Sequence, residues 1–246
     1  MRLSVVIPAF NEALRLPSTL TEIIRFLDGH PRWSPAEIVV VDDGSDDDTA
    51  AVVDSTVGGP GITLRCLRHT TNRGKGAAVR TGFQAAHGRS ILLCDADLAT
   101  PIEELDELDR HQGSGAAIGS RAVDRRRIER RQPLYRDLMG RVFNLAVQIV
   151  ALPGIRDTQC GFKLFEGDLG RRLAELQRID GFAFDVELLL LTRTQGREIR
   201  ELGVRWRHVN ESRVQPLTHS ADMFIDLLRI GWWRCTGQIG RPRPGS

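Results

Sequence analysis

The chain has 246 residues, with 34 Lys and Arg against 32 Asp and Glu, and its apolar, charged and aromatic fractions are those of a soluble globular protein. That length holds one α/β domain with a full core, or two small ones. No run approaches the roughly 20 apolar residues that span a bilayer: the longest candidate, Leu138 to Leu152, is interrupted by Arg141, Asn144 and Gln148.

In chain order, Leu3 to Ala9 is an apolar run that predicts a buried strand, starting so soon after Met1 that no signal peptide is expected. Leu16, Leu20, Ile23, Ile24 and Leu27 then share one face of a helix with Pro17 at its start. Ile38 to Val41 predicts a second strand, ended by Asp42-Asp43-Gly44-Ser45, and Asp46 to Val57 a helix with acids in its first turn. Ile62 to Leu67 and Ser90 to Cys94 predict further strands, with a helix over Gly76 to Ala86 between them. A helix from Pro101 to about His111 and a strand from Ala116 to Ser120 complete the first half. Strands that are apolar throughout and alternate with helices imply a parallel sheet covered on both faces.

The second half predicts a helix over Pro133 to Leu152, a strand over Gly161 to Phe165, a helix over Phe184 to Thr194 and a strand over Glu198 to Arg207. A last amphipathic stretch runs from Met223 to Arg234, and a flexible tail is expected over 237–246. No linker divides the chain, so one domain is expected over 1–236, with a nucleotide-binding half (1–121) and an acceptor-side half (122–236). Cys66, Cys94, Cys160 and Cys235 have neither disulfide nor zinc spacing and read as reduced thiols. The six histidines form no metal-spaced cluster, and most are expected at the surface.

Ligands of open parallel sheets bind beyond the carboxyl ends of the strands. Two acidic groups fall there, Asp42-Asp43 and Asp95-Ala96-Asp97. The Asp95-x-Asp97 spacing suits a hard cation such as Mg²⁺ or Mn²⁺, held by one or two carboxylates and phosphate oxygens. The plainer alternative is that these acids only cap strand ends. Asn72-Arg73-Gly74-Lys75-Gly76 opens the third helix, with glycines for close backbone approach and a lysine at a helix amino terminus. It lacks the G-x-x-x-x-G-K-[ST] spacing, which excludes a P-loop NTPase.

The segments VVIPAFNE (Val5 to Glu12), VVVDDGSDDDT (Val39 to Thr49), NRGKG, DADLA (Asp95 to Ala99) and GSR (Gly119 to Arg121) occur in that order. Together the set resembles family-two glycosyltransferases of the GT-A fold: α/β, Rossmann-like, with a mixed, mainly parallel sheet flanked by helices. DTQCGFKLF (Asp157 to Phe165) and FAFDVELL (Phe182 to Leu189) are similar to the branch holding dolichyl-phosphate β-glucosyltransferases and dolichyl-phosphate mannose synthases. The resemblance implies that Pro8, Glu12 and Asp43 hold the nucleoside, that Lys75 lies near the nucleotide, and that Asp95, Ala96 and Asp97 form the nucleotide and metal site, with Mg²⁺ or Mn²⁺ on the two carboxylates. Mannose synthases often carry a glutamine ligand where this chain has Ala99, so the implied donor is UDP-glucose, with GDP-mannose the alternative. The implied acceptor is a polyprenyl phosphate, attacked with inversion at the anomeric carbon.

Arg121 to Arg141 holds eight arginines against three acids, an excess of five positive charges in 21 residues. A phosphate acceptor is already anionic at neutral pH and needs orientation by arginine more than a base. The resemblance marks Arg121, Arg136 and Arg213 as its ligands; the other arginines fit lipid headgroups or a solvated face. The Pro133–Leu152 and Met223–Arg234 helices suit a membrane interface, or else pack on each other or on a second copy in a homo-oligomer. A cytoplasmic protein at the cytoplasmic membrane face is expected. Three rivals stand beside this reading: transfer to a soluble hydroxyl with Asp185 as base, a non-catalytic nucleotide-sugar-binding module, and a nucleic-acid binder. The last lacks interleaved aromatics and a binding motif.

Overall fold

In the computed structural model, residues 1–130, 134–208 and 216–241 are described. A seven-stranded sheet is built from β1 (Leu3–Ala9), β2 (Ala36–Asp42), β3 (Ile62–Arg68), β4 (Ser90–Cys94), β5 (Ala116–Ser120), β7 (Phe162–Glu166) and β8 (Ile199–Gly203), in the order β3-β2-β1-β4-β7-β5-β8. Neighbours are parallel except where β7 lies antiparallel between β4 and β5. The expected mixed, mainly parallel GT-A sheet is therefore present. A two-stranded parallel pair, β6 (Ile128–Arg130) with β9 (Trp206–Arg207), stands apart from it.

Strand alternation divides the core in two. Val6, Val39, Val41, Ile91 and Leu93 point to one face, where α3 (Lys75–Ala85), α5 (Leu134–Val150), α6 (Gly167–Leu176), α7 (Phe184–Thr194) and α8 (Pro216–Cys235) supply the cover. Val5, Ile7, Ile38, Val40 and Leu92 point to the other, onto α1 (Leu16–Asp28) and α4 (Leu105–Gln112). Every residue of β1 and β2 is buried, which is why both are mainly apolar; the buried Ser4 and Glu37 satisfy each other through a 2.6 Å hydrogen bond.

Several sequence expectations shift. The second helix, α2, spans only Thr49–Ser55. Its acids precede it, because Asp47 accepts from the Thr49 amide and turns the chain into the helix instead of sitting in its first turn. The strand expected over Glu198 to Arg207 is two strands, interrupted where Val204 turns inward and is fully buried. α6 was not legible as a helix apart from the strand before it, and α8 begins at Pro216, well before Met223. The His69 side chain is enclosed between Asp43 and Thr81, an exception among histidines expected mostly at the surface. The start of the expected tail is anchored: the Arg241 carbonyl accepts from Arg178, and Ile239 packs against the core.

α5 and α8 pack together through Phe143 and Phe224, whose rings meet edge to face at 5.4 Å. Each helix also carries a second apolar stripe pointing outward: Leu138, Val142, Leu145 and Ile149 on α5, and Ile225, Leu228 and Trp232 on α8. Among the described residues, ten of the fourteen large hydrophobics left exposed lie on these two helices. No helix there is long and apolar enough to cross a membrane.

Candidate functional site

The carboxyl ends of β1, β2 and β4 share one rim of the sheet, and the sequence-marked residues gather there. Asp95 leaves β4 with its amide donating to the Gly161 carbonyl at 3.1 Å. Its carboxylate lies against Gly161 so closely that a Cβ added there would fall 1.8 Å from Asp95 Oδ2. The chain then turns sharply. Leu98 takes a left-handed φ of 44°, a conformation that costs a branched residue about 1–2 kcal/mol. Through that turn the Ala99 amide reaches back to Asp97 Oδ1 at 3.1 Å. Burial and the charge of Asp95 together raise the pKa of Asp97, so the pair is short of positive charge.

Lys75, the first residue of α3, supplies one cation: Nζ donates to Asp95 Oδ1 at 2.7 Å. Burial works to lower its pKa, but the carboxylates of Asp95, Asp185 and Asp97 outweigh that and hold the ammonium above the ordinary lysine value. The loop that delivers it is fixed by Asp43. That carboxylate accepts from His69 Nδ1 at 2.6 Å, from the Arg73 amide at 3.0 Å and from the Gly74 amide at 2.8 Å. Gly74 has φ 100°, and a Cβ there would collide with the Asp180 carbonyl at 2.4 Å. Asp43 thus lies at the expected rim but spends its oxygens on the lysine-bearing loop.

Glu12, expected at the nucleoside, is paired with Arg15 through two bonds of 2.7 Å, while its amide donates to Thr49 Oγ1. Pro8 is buried in β1 opposite Val41. Ala96 is buried too, and its carbonyl accepts from Thr19. Arg121 is held bidentate by Asp157, Nε to Oδ2 at 2.7 Å and Nη2 to Oδ1 at 2.8 Å. Burial alone would raise the Asp157 pKa; the Arg121 charge and hydrogen bonds outweigh it and hold the carboxyl below its ordinary range. The Arg136 side chain and all of Arg213 lie outside the described residues.

Several arginines of the 121–141 segment are ion-paired: Arg125 and Arg141 with Asp137, Arg126 with Asp124, and Arg127 with the buried Glu104. Asp124 and Asp137 already stand in the excess of five, so among the described residues only Glu104 and Asp157, from outside the segment, offset it further.

Asp185 sits at the first turn of α7 and is buried. Its Oδ1 accepts from Lys163 Nζ at 2.5 Å, and Lys163 is itself fully buried and also donates to the Cys160 carbonyl at 2.6 Å. Burial raises the Asp185 pKa against the opposing charges of Lys163 and Lys75. In this structure the carboxylate is 4% exposed and ion-paired with Lys163. Glu187, two residues on, accepts from the Arg178 and Ile179 amides and pins the turn against which α3 begins; burial pushes its pKa up to about 7.

Three contributors, Arg15, Glu201 and Trp206, lie outside every quoted motif, and a fourth, Lys163, lies inside DTQCGFKLF with no role marked for it. Arg15 pairs with Glu12, Lys163 with Asp185, and Glu201 holds the Asp157 amide at 2.7 Å. Trp206 lines the cleft beside Asp95 and Ala99. Lys163 did leave a signal: it shares a strand face with Phe165, so a lysine there is a buried lysine in need of a carboxylate.

Comparison with known proteins fits this geometry. The sequence profile described as glycosyl transferase family 2 matches residues 4–169. A dolichyl-phosphate beta-glucosyltransferase of Dictyostelium discoideum is 37% identical over 240 residues, covering 93% of this chain and 73% of the relative. One from Drosophila melanogaster is 37% identical over 252 residues, covering 95% and 77%. The crystal structure of glucosyl-3-phosphoglycerate synthase from Mycobacterium tuberculosis in complex with Mn²⁺, uridine diphosphate and phosphoglyceric acid has the same fold. It gives a TM-score of 0.67 at 21% identity and covers 94% of this chain and 78% of that one.

Proposed function

The chain belongs to glycosyl transferase family 2, and from that premise we propose that it transfers glucose from UDP-glucose to the phosphate of a dolichyl-type polyprenyl lipid with the help of a divalent cation. The observation that carries the reading is the rim over β4, where two partly buried carboxylates and the Lys75 ammonium converge. Among the described residues no three His, Cys, Asp or Glu side chains cluster as a ready-made metal cage. That fits a hard cation taking only one or two protein carboxylates and completing its shell with phosphate and water oxygens. Asp95 and Asp97 would hold it, and when bound it neutralises charge on the departing diphosphate.

The protein's own residues then have limited work. Lys75 keeps its proton and sets a positive charge beside Asp95, at the amino end of α3, where a diphosphate is favoured. Asp43 keeps that loop closed. The acceptor phosphate arrives already ionised, its second pKa being about 6. Its oxygen forms the new bond to the anomeric carbon as the bond to the diphosphate breaks, with inversion and release of UDP. The burial of Asp185 against Lys163 supports a phosphate acceptor over a hydroxyl one, since a hydroxyl needs a base within reach. Ala99 adds no ligand, which supports UDP-glucose over GDP-mannose.

The test is transfer of label from UDP-glucose or GDP-mannose to a polyprenyl phosphate, counted in the lipid phase with Mg²⁺ or Mn²⁺. Label from UDP-glucose that disappears on chelation is expected. Label from GDP-mannose alone overturns the donor, and label only on soluble acceptors overturns the lipid.

The outward stripes of α5 and α8 are the surface proposed to rest on the lipid headgroups. Leu145 and Leu228 are 59% and 69% exposed, so replacing both by Asp removes interfacial apolar area without opening the core. Binding to phosphatidylglycerol-containing vesicles is expected to fall at least about tenfold at an unchanged thermal midpoint, at roughly 0.8 kcal/mol per buried methylene lost. Unchanged sedimentation with vesicles, or a wild-type dimer that the variant splits, would assign the stripes to a second copy instead.

A further inference from the structure

Lys163 lies in the middle of β7, in register with Leu93 of β4 and Ile118 of β5, and its side chain is wholly buried. A charge is costly to bury there, and an ion pair inside a core is often no more stable than two apolar side chains of the same volume. What the ammonium supplies is direction. It donates to Asp185 Oδ1 at 2.5 Å, on the first turn of α7, and to the Cys160 carbonyl at 2.6 Å. The second bond reaches back to the turn that precedes its own strand. The next carbonyl of that turn, of Gly161, accepts from the Asp95 amide at 3.1 Å, and Gly161 has no room for a side chain beside the Asp95 carboxylate.

At its other end the same segment is fixed by different groups. Glu201 holds the Asp157 amide at 2.7 Å, and the Asp157 carboxylate clamps Arg121 and accepts from the Gln159 amide. The Lys163 bond therefore bears on the Asp95 end of the segment. We propose that Lys163, anchored on Asp185, is a positioning residue for the metal site: its ammonium fixes the Cys160–Gly161 turn, and the turn fixes the Asp95 carboxylate against Lys75. An apolar pair in place of Lys163 and Asp185 could fill the same space but could not hold the Cys160 carbonyl.

This assignment rests on the metal-site reading above, and Mn²⁺ binding measured without an acceptor separates the two. Free Mn²⁺ would be followed by electron paramagnetic resonance at saturating UDP on the wild-type chain, Lys163→Met/Asp185→Leu and Asp185→Asn. The paired variant removes both charges together, so its thermal midpoint is expected to hold. Its Mn²⁺ affinity is nevertheless expected to fall about tenfold, the loss usual when the support of a metal ligand is removed. Its KM for polyprenyl phosphate should stay within about twofold, because the Asp157 clamp on Arg121 is untouched. Asp185→Asn keeps an oxygen for the ammonium and should bind Mn²⁺ within about threefold of wild type. Unchanged Mn²⁺ affinity in the paired variant overturns the proposal. So does a loss of affinity matched by a fall in thermal midpoint, which would make the pair a support of the fold. Turnover lost in Asp185→Asn at undiminished Mn²⁺ affinity would place Asp185 on the substrate instead. A wild-type chain that binds no Mn²⁺ with UDP overturns the metal site and the positioning role together.

Discussion

Replacing Asp97 by Asn is expected to lower glucosyl transfer by about a thousandfold or more, corresponding to roughly 4 kcal/mol of transition-state stabilisation, without loss of the fold. The amide keeps an oxygen for the Ala99 N–H, so the turn through Leu98 is preserved. It does not keep the charge. In the protein without metal, Asp97 is disfavoured as an anion by burial and by Asp95, so the variant should be as thermally stable as the parent or slightly more so. With Mn²⁺ and UDP-glucose present, the parent should gain stability that the variant does not, by mass action on the bound state. Thermal midpoints with and without ligand, set beside turnover, check the pair of signs. Full activity in Asp97→Asn would remove it from the metal site.

The second large effect is expected from a residue with no functional group. Gly161→Ala adds one methyl, but its carbon would lie 1.8 Å from Asp95 Oδ2, an overlap that only displacement of the carboxylate relieves. Displacement breaks the 2.7 Å bond to Lys75 and moves one of the two proposed metal ligands. Activity is expected to fall about a hundredfold, since a shift of about 1 Å in positioned groups costs that much. Stability should fall by only about 1–3 kcal/mol, the usual range for overpacking. Measured as kcat and as a urea midpoint, the variant should look far worse by the first than by the second. A parallel loss in both would make Gly161 a packing position only.

Much of this site could be read in the sequence, because its charged residues follow elements with strong local signals. β4 was legible to the residue, Ser90 to Cys94, since it is a short apolar run closed by an aspartate, and it delivers Asp95 and Asp97 where an α/β sheet binds ligands. Lys75 was legible from its glycines. What the sequence hid are contacts made across long separations. Arg121 meets Asp157 across 36 residues and Lys163 meets Asp185 across 22, pairings that no local pattern marks. Asp43 was legible as a rim residue, but its bonds to His69 and to the backbone of a loop 30 residues on were not. Trp206 was hidden for a different reason: the strand expected over Glu198 to Arg207 masked the inward turn at Val204 that sets the indole on the rim.

The reversed strand β7 also bears on the order in which the protein can assemble. β4 and β5 are made within 31 residues of each other, but they do not pair; the strand that joins them is made some 40 residues later. Without β7 these two strands, held at their native places, would present two open edges a full strand's width apart, about 10 Å. Only when Phe162 to Glu166 emerges can the gap close, and the same insertion brings Gly161 up against Asp95. The parts of the chain before and after β5 are thus joined in one sheet by one late strand, and a cut between them would yield two unfinished sheets.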